Sequence, residues 1–198
     1  HQEMPKGNND GKMHGFQLWA NLPSNQKMTS PRYQDIKSDE FNSIVEDDGT
    51  TIKVIAGNFR GYKGPVEGIA AKPEYLDIYI PPSKLKRFPF DTRRQGFAYI
   101  FEGSANFHNA SKPFGVKVEK ELNGEEIELR DMSGNRTLVV FDHGDEVAVR
   151  AGENGVRFLL ISGRPLKEPV AWHGPIVMNT QEELRQAFNE LNNGTFIK

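Results

Sequence analysis

The chain of 198 residues carries 25 Lys and Arg against 27 Asp and Glu, a net charge of −2, with 36% hydrophobic and 26% charged residues and no cysteine. That is enough to bury one large domain or two small ones, without the concentrated basic face that direct nucleic-acid binding uses. It also excludes a disulfide scaffold, a thiolate nucleophile and a sulfur-ligated zinc or iron–sulfur centre.

The first residues, His1-Gln-Glu3, are polar and not a signal peptide. An apolar, aromatic stretch follows, with Phe16, Leu18, Trp19 and Leu22, residues that need other strands to cover them. Ser38–Thr50 is acidic, polar and without regular pattern, so it reads as a linker between a front fragment (1–37) and an all-β body. Short strands are expected at Thr51–Ala56, Tyr75–Ile80, Gly96–Gly103, Val116–Leu122, Ile127–Arg130, Thr137–Phe141, Glu146–Arg150 and Arg157–Ser162. In Tyr75–Ile80 the apolar Leu76, Ile78 and Ile80 share one face, as a half-buried strand requires. In Gly96–Gly103 the aromatic Phe97, Tyr99 and Phe101 do the same. Asn123-Gly124, Ser133-Gly134-Asn135, His143-Gly144 and Asn154-Gly155 are the intervening turn signals. Many short strands at near-regular spacing indicate a sandwich or barrel.

Between these strands lie two other features. Gly57-Asn-Phe-Arg-Gly61-Tyr-Lys-Gly64 is glycine-rich, yet no helix pattern follows it to offer an anion-binding N-terminus. Lys84, Lys86, Arg87, Arg93 and Arg94 form a basic cluster, read as a solvated face or as a contact for an acidic partner. The one convincing helix comes last. Thr180-Gln-Glu-Glu183 is a capping box, Leu184, Ala187, Phe188 and Leu191 form an apolar stripe, and Asn193-Gly194 supplies the stop. No apolar run reaches the roughly 20 residues that span a bilayer, and a cytoplasmic protein is expected.

Chemistry is concentrated at the start. On a strand, side chains at i and i+2 point the same way, about 6.5 Å apart, so His1 and Glu3 could converge on one cation. An imidazole and a carboxylate suit Fe(II), Mn(II), Ni(II) or Zn(II), but two donors hold such an ion poorly and more must come from elsewhere. On spacing alone, a frayed polar terminus is the commoner meaning. The other histidines, His14, His108, His143 and His173, read as packing or solvated residues.

The surrounding motifs tip that balance. His1-Gln-Glu-Met-Pro5, Gly15-Phe-Gln-Leu-Trp-Ala-Asn-Leu-Pro23, Pro31-Arg-Tyr-Gln-Asp-Ile36, Gly163-Arg-Pro-Leu-Lys-Glu-Pro-Val170 and Gly174-Pro-Ile-Val-Met-Asn-Thr180 occur in that order over nearly the whole chain. Together they closely resemble the pirin family. The resemblance implies an all-β fold of two tandem cupin barrels, with the first barrel incomplete here and one C-terminal helix. Residues 1–37 would be the remnant of the metal-binding first barrel, 38–50 a linker, 51–170 the second barrel, and 171–198 the closing loop and helix. The family's metal is held by a His-x-His pair and a later His-x-Glu pair, and the latter matches His1 and Glu3. No His-x-His occurs in the sequence, so the chain is expected to begin within the first barrel, where the metal could be absent. The stretch Asp91-Thr-Arg-Arg-Gln-Gly96 lacks histidine where cupins place ligands, and the second barrel is expected to be metal-free.

The activity implied is that of a quercetin 2,3-dioxygenase, which opens a flavonol with O₂. Fe(II) is the first choice of metal, with Mn, Ni, Zn or Cu as alternatives. His1 would hold the ion, and Glu3 would be both ligand and base. The alternative is a redox-responsive iron protein that binds a transcription factor or a metabolic enzyme. Either way the expected partners are a flavonol-like aromatic molecule or another protein, and the chain is expected to be monomeric.

Overall fold

The computed structural model describes residues 7, 9–108, 114–115 and 132–197. Isolated 3-10 turns stand at Ser24–Gln26 and Ser38–Glu40. Then come strands β1 (Asn42–Val45), β2 (Thr51–Ala56), β3 (Asn58–Phe59), β4 (Tyr62–Lys63), β5 (Glu74–Ile80), β6 (Leu85–Pro89) and β7 (Gln95–His108). β8 (Phe114–Gly115), β9 (Ser133–Gly134), β10 (Thr137–Val140) and the long β11 (Glu146–Gly163) complete the body. A small hairpin, β12 (Ala171–His173) and β13 (Ile176–Met178), leads into helix α1 (Gln181–Asn192). The expected strands Val116–Leu122 and Ile127–Arg130, and the turn at Asn123-Gly124, lie outside the described residues.

The main sheet is ordered β1-β2-β5-β11-β7-β10-β8, with β6 pairing β11 and β9 pairing β7. Every pairing between these strands is antiparallel. Alternation decides what is inside: β2 buries Ile52, Val54 and Ala56, and β5 buries Leu76, Ile78 and Ile80. Apolar residues at period two give each strand one face for the core.

One strand organises the barrel. The sequence reading expects two strands and an Asn154-Gly155 hairpin between residues 146 and 162, but β11 runs through without interruption. Its first half pairs β6 and the end of β7, its second half β5 and the start of β7. On β11, Val149 faces Phe107 of β7 in the register, and Phe158 lies nine residues further along. Nine extended residues span about 30 Å, yet the Phe107 and Phe158 ring centroids are 5.5 Å apart. β11 therefore folds back on itself, and the corner is the register shift between Ala151 and Val156. Gly155 (φ 77°) and, opposite it, Gly103 (φ 71°) make the corner. A Cβ on Gly103 would sit 2.1 Å from the Gly155 carbonyl oxygen, so only glycine fits. The Asn-Gly pair here builds a β-bulge, which uses the same positive φ that a hairpin turn would.

Two further expectations need correction. The segment 38–50, read as a linker, contains β1, which pairs residue for residue with β2; its acidic side chains obscured a four-residue edge strand. The aromatic face of β7 points outward, because Ala98 and Ile100 take the core. Phe97, Tyr99 and Phe101 are half-buried on the outer surface.

The core joins Ile52, Val54, Leu76, Ile78, Ile80, Phe88, Ile100, Val149, Phe158 and their neighbours. A second, smaller core holds α1 to the hairpin through Ala171, Ile176, Met178, Leu184 and Ala187. The expected capping box is present: Thr180 Oγ1 accepts from the Glu183 amide, and the Thr180 amide donates back to Glu183. Among the described residues no helix is long and apolar enough to cross a membrane.

Candidate functional site

His1 and Glu3 lie outside the described residues. What the structure does describe is the segment that follows them and the barrel against which it packs.

Among the described residues, the inside of the barrel is aromatic and apolar. Phe59, Phe88, Phe158, Phe107, Phe141 and Phe90 form a chain of ring contacts with centroids 5.5–6.3 Å apart. The buried polar residues are Thr50, Ser133 and Ser162 alone among those described. No group of three or more His, Asp or Glu side chains converges among the described residues. A divalent cation needs several nitrogen or oxygen donors, and the described residues of the second barrel bring no such group together. The described histidines are scattered: His14 packs on Phe16 and Phe101 (5.0 and 5.7 Å), His173 lies edge-on to Phe188 (5.4 Å), and His143 sits in the loop before β11. The His108 side chain is outside the described residues.

The front segment is a strap on the outside of the barrel. Phe16 stacks on Phe101 at 4.9 Å and lies edge-on to Tyr99 at 5.7 Å. This contact helps explain why the outward face of β7 is aromatic. Further on, Gln17–Leu22 and Lys27 form one wall of a cavity of about 960 Å³; β12–β13 and Phe196 form the other. Trp19 and Trp172, 59% and 68% exposed, flank it. Of the apolar residues that were expected to need cover, Phe16 thus finds part of it on the second barrel, and Leu18 and Trp19 stay open.

Polar stitches hold the strap, and they fall on the motifs quoted above. Glu168, in Gly163–Val170, accepts from the Ser24 amide at 2.8 Å, the Ser24 hydroxyl at 3.3 Å and Asn179 Nδ2 at 3.1 Å. Asn179 also donates to the Pro169 carbonyl at 2.9 Å, and its own amide donates to Glu183. Gln34, in Pro31–Ile36, donates to the Glu67 carbonyl (2.9 Å) and accepts from the Glu67 amide (3.2 Å), while Arg32 donates to that same carbonyl. Lys27 donates to Asn21 Oδ1 at 2.7 Å. Burial lowers its pKa, opposed by the Glu168 and Glu183 carboxylates. Sequence reasoning used these motifs as a family mark and missed their task, which is to tie residues 21–34 to the barrel's exit. The signal was there: Glu, Asn and Gln held among prolines and apolar residues.

The basic cluster is not a patch. Lys86 pairs with Glu46 and with Asp48, Arg87 with Glu146, and Arg93 with Asp91 through two bonds of 2.9 Å. Arg94 turns inward and donates to the Lys72 carbonyl at 2.9 Å. Acidic neighbours, distant in sequence for Lys86 and Arg87 and close for Arg93, thus neutralise much of the surface that was expected to attract an acidic partner.

Comparison with known proteins places this architecture. Residues 75–197 match the family described as the pirin C-terminal cupin domain. The chain is 36% identical over 197 residues to a pirin-like protein of Caulobacter vibrioides, covering 99% of this chain and 63% of that one. It is 34% identical over 194 residues to pirin of Homo sapiens, covering 98% and 60%. Among solved structures it superposes on quercetin 2,3-dioxygenase from Acinetobacter baumannii with a TM-score of 0.74 at 26% identity, covering 90% of this chain and 55% of that one. The chain thus spans about three fifths of the length of these relatives.

Proposed function

This chain belongs to the pirin family, and on that premise we propose that it is part of a metal-dependent cupin dioxygenase of the quercetin 2,3-dioxygenase type, acting on a flavonol with O₂. The observation that carries the proposal is the likeness to the Acinetobacter baumannii enzyme, which extends over 90% of the chain. Cupin dioxygenases of that kind need a divalent metal, and the described residues of the second barrel gather no donors for one. The proposed donors are His1 and Glu3, which match the His-x-Glu pair that the family resemblance implies, an imidazole and a carboxylate suited to Fe(II), with Mn, Ni, Zn or Cu as alternatives. When bound, the metal supplies Lewis acidity toward the hydroxyketone edge of a flavonol.

The chain's own residues then divide the work. Neutral His1 gives a nitrogen donor and leaves the proton chemistry to Glu3, which takes the proton of the flavonol hydroxyl. A carboxylate held by a cation is a weaker base, so Glu3 must loosen its hold as it accepts the proton. The strap from Phe16 to Gln34 lies against the second barrel, fastened at Glu168 and Glu67. That barrel serves as a scaffold. The regulatory alternative loses the surface that the sequence offered it, since four of the five basic residues are paired or turned inward.

Quercetin-dependent O₂ uptake tests the proposal. Glu3→Gln keeps an oxygen donor but removes the base, and should lower kcat by roughly 10²–10⁴ with metal retained. Unchanged turnover in that variant would remove Glu3 from the mechanism.

A further inference from the structure

Two sequence features that the proposed function leaves unused meet in one place. The glycine-rich stretch Gly57–Gly64 forms the β3–β4 hairpin, turning at Arg60 and Gly61, both with positive φ. Beside it lies a cavity of about 380 Å³, whose opposite side is the loop 66–73 and Arg94 from the basic cluster. Gly57, Gly64 and Gly68 stand in its lining and can offer only main chain there. A Cβ on Gly57 would meet the Pro73 carbonyl oxygen at 2.8 Å, one on Gly64 the Ile55 carbonyl oxygen at 2.6 Å, and one on Gly68 the Arg32 guanidinium at 2.5 Å. Side chains at these positions are excluded by contact with the protein itself.

The charge lining this space is unbalanced. Lys63, Lys72 and Arg94 face it with a single acid, Glu67, and Lys63 already pairs with Glu67. Arg94 is only 18% exposed and is held in place by carbonyls: one terminal nitrogen donates to the Lys72 carbonyl and, at 3.4 Å, to that of Ser162. Its nearest carboxylate, Asp91, is 4.0 Å away and is occupied by two bonds from Arg93. Glu74 is half-buried near Arg94; burial raises its pKa, opposed by the Arg94 charge. The exposed Lys72 ammonium has no ion-pair partner among the described residues. A largely buried guanidinium fixed by carbonyls and an exposed lysine, both lining one cavity, are an arrangement that favours an oxyanion.

We propose that this cavity binds a small oxyanion, a phosphate or a carboxylate group, between the Arg94 guanidinium and the Lys72 ammonium, with glycine main chain as its wall. The site stands on the face of the barrel formed by the β3–β4 hairpin and does not depend on the metal. No helix N-terminus is needed, because side-chain cations supply the charge that the sequence reading sought in a phosphate loop.

The test uses the whole chain and three salts at equal ionic strength: inorganic phosphate, acetate and chloride. The readout is the amide NMR shifts of Gly57, Gly64 and Gly68. Saturable shifts with phosphate alone would assign a phosphate site, and with acetate alone a carboxylate site; chloride should do neither. Lys72→Gln, an exposed and unpaired position, should weaken binding about tenfold and leave the fold intact. The exposed Lys84→Gln, remote from the cavity, should leave affinity unchanged. Equal shifts with chloride, or equal losses in the two variants, would overturn the proposal.

Discussion

The barrel and the strap are held by different physics. In the barrel, Ile52, Val54, Leu76, Ile78, Ile80, Ala98, Ile100, Val149 and Phe158 are fully buried, and strand after strand repeats the same alternation. In the strap, residues 11–20 are all exposed, and the fastening comes from the ring contacts of His14 and Phe16 and a few polar bonds at Glu168 and Glu67. Burial of apolar area is spread over many residues and tolerates local error. A carboxylate that gathers three donors does not, since all three bonds are lost together when it goes.

The comparison can be broken first at its strong end. Phe158 is at the centre of the aromatic chain, touching Phe88 and Phe107. Phe158→Ala should cost about 3–5 kcal/mol and lower the whole melting transition, read in denaturant by circular dichroism. A cost below 1 kcal/mol would mean that the barrel does not depend on this contact.

At the other end, Glu168→Ala should release the strap with little change in the barrel. The expected loss is about 1–3 kcal/mol, felt locally. Hydrogen exchange should rise at Ser24 and its neighbours while the amides of β5 and β11 keep their protection. Uniform loss of protection would show that strap and barrel unfold as one unit.

The smallest effect sharpens the comparison at the edge of the sheet. Asp48 has its pKa lowered to about 2, chiefly by the hydrogen bond from Lys86 and further by the Thr50 amide. Its folded pKa lies below the unfolded value, so the contribution is present above about pH 4. It is lost as pH falls toward 2. The β1–β2 hairpin should therefore fray in acid before the barrel melts, and Asp48→Asn should remove that dependence.

How far the sequence could be read follows the same division. β2 is observed as Thr51–Ala56 and the Thr180 cap with its helix as expected, because periodicity and caps are local signals. Asn154-Gly155 misled, because a positive φ suits both a turn and a corner, and only the long-range pairing of β11 separates them. Phe97, Tyr99 and Phe101 misled on which face was core, because a strand with apolar residues on both sides carries no sign. The strap's fastenings join residues 144 and 33 positions apart, a separation at which one sequence has no voice. The same holds for Arg94, which read as part of a solvated cluster and instead turns inward.

The most direct measurement of the central claim, that the barrel is scaffold and the metal belongs to His1 and Glu3, is metal content per chain. It should be compared between this chain and a form extended at its N-terminus by the His-x-His-bearing strands of a pirin relative. We expect about one divalent metal per extended chain, lost in His1→Ala, and substoichiometric metal on the 198 residues alone. A full equivalent that survives both His1→Ala and Glu3→Gln would place the metal elsewhere and contradict the account.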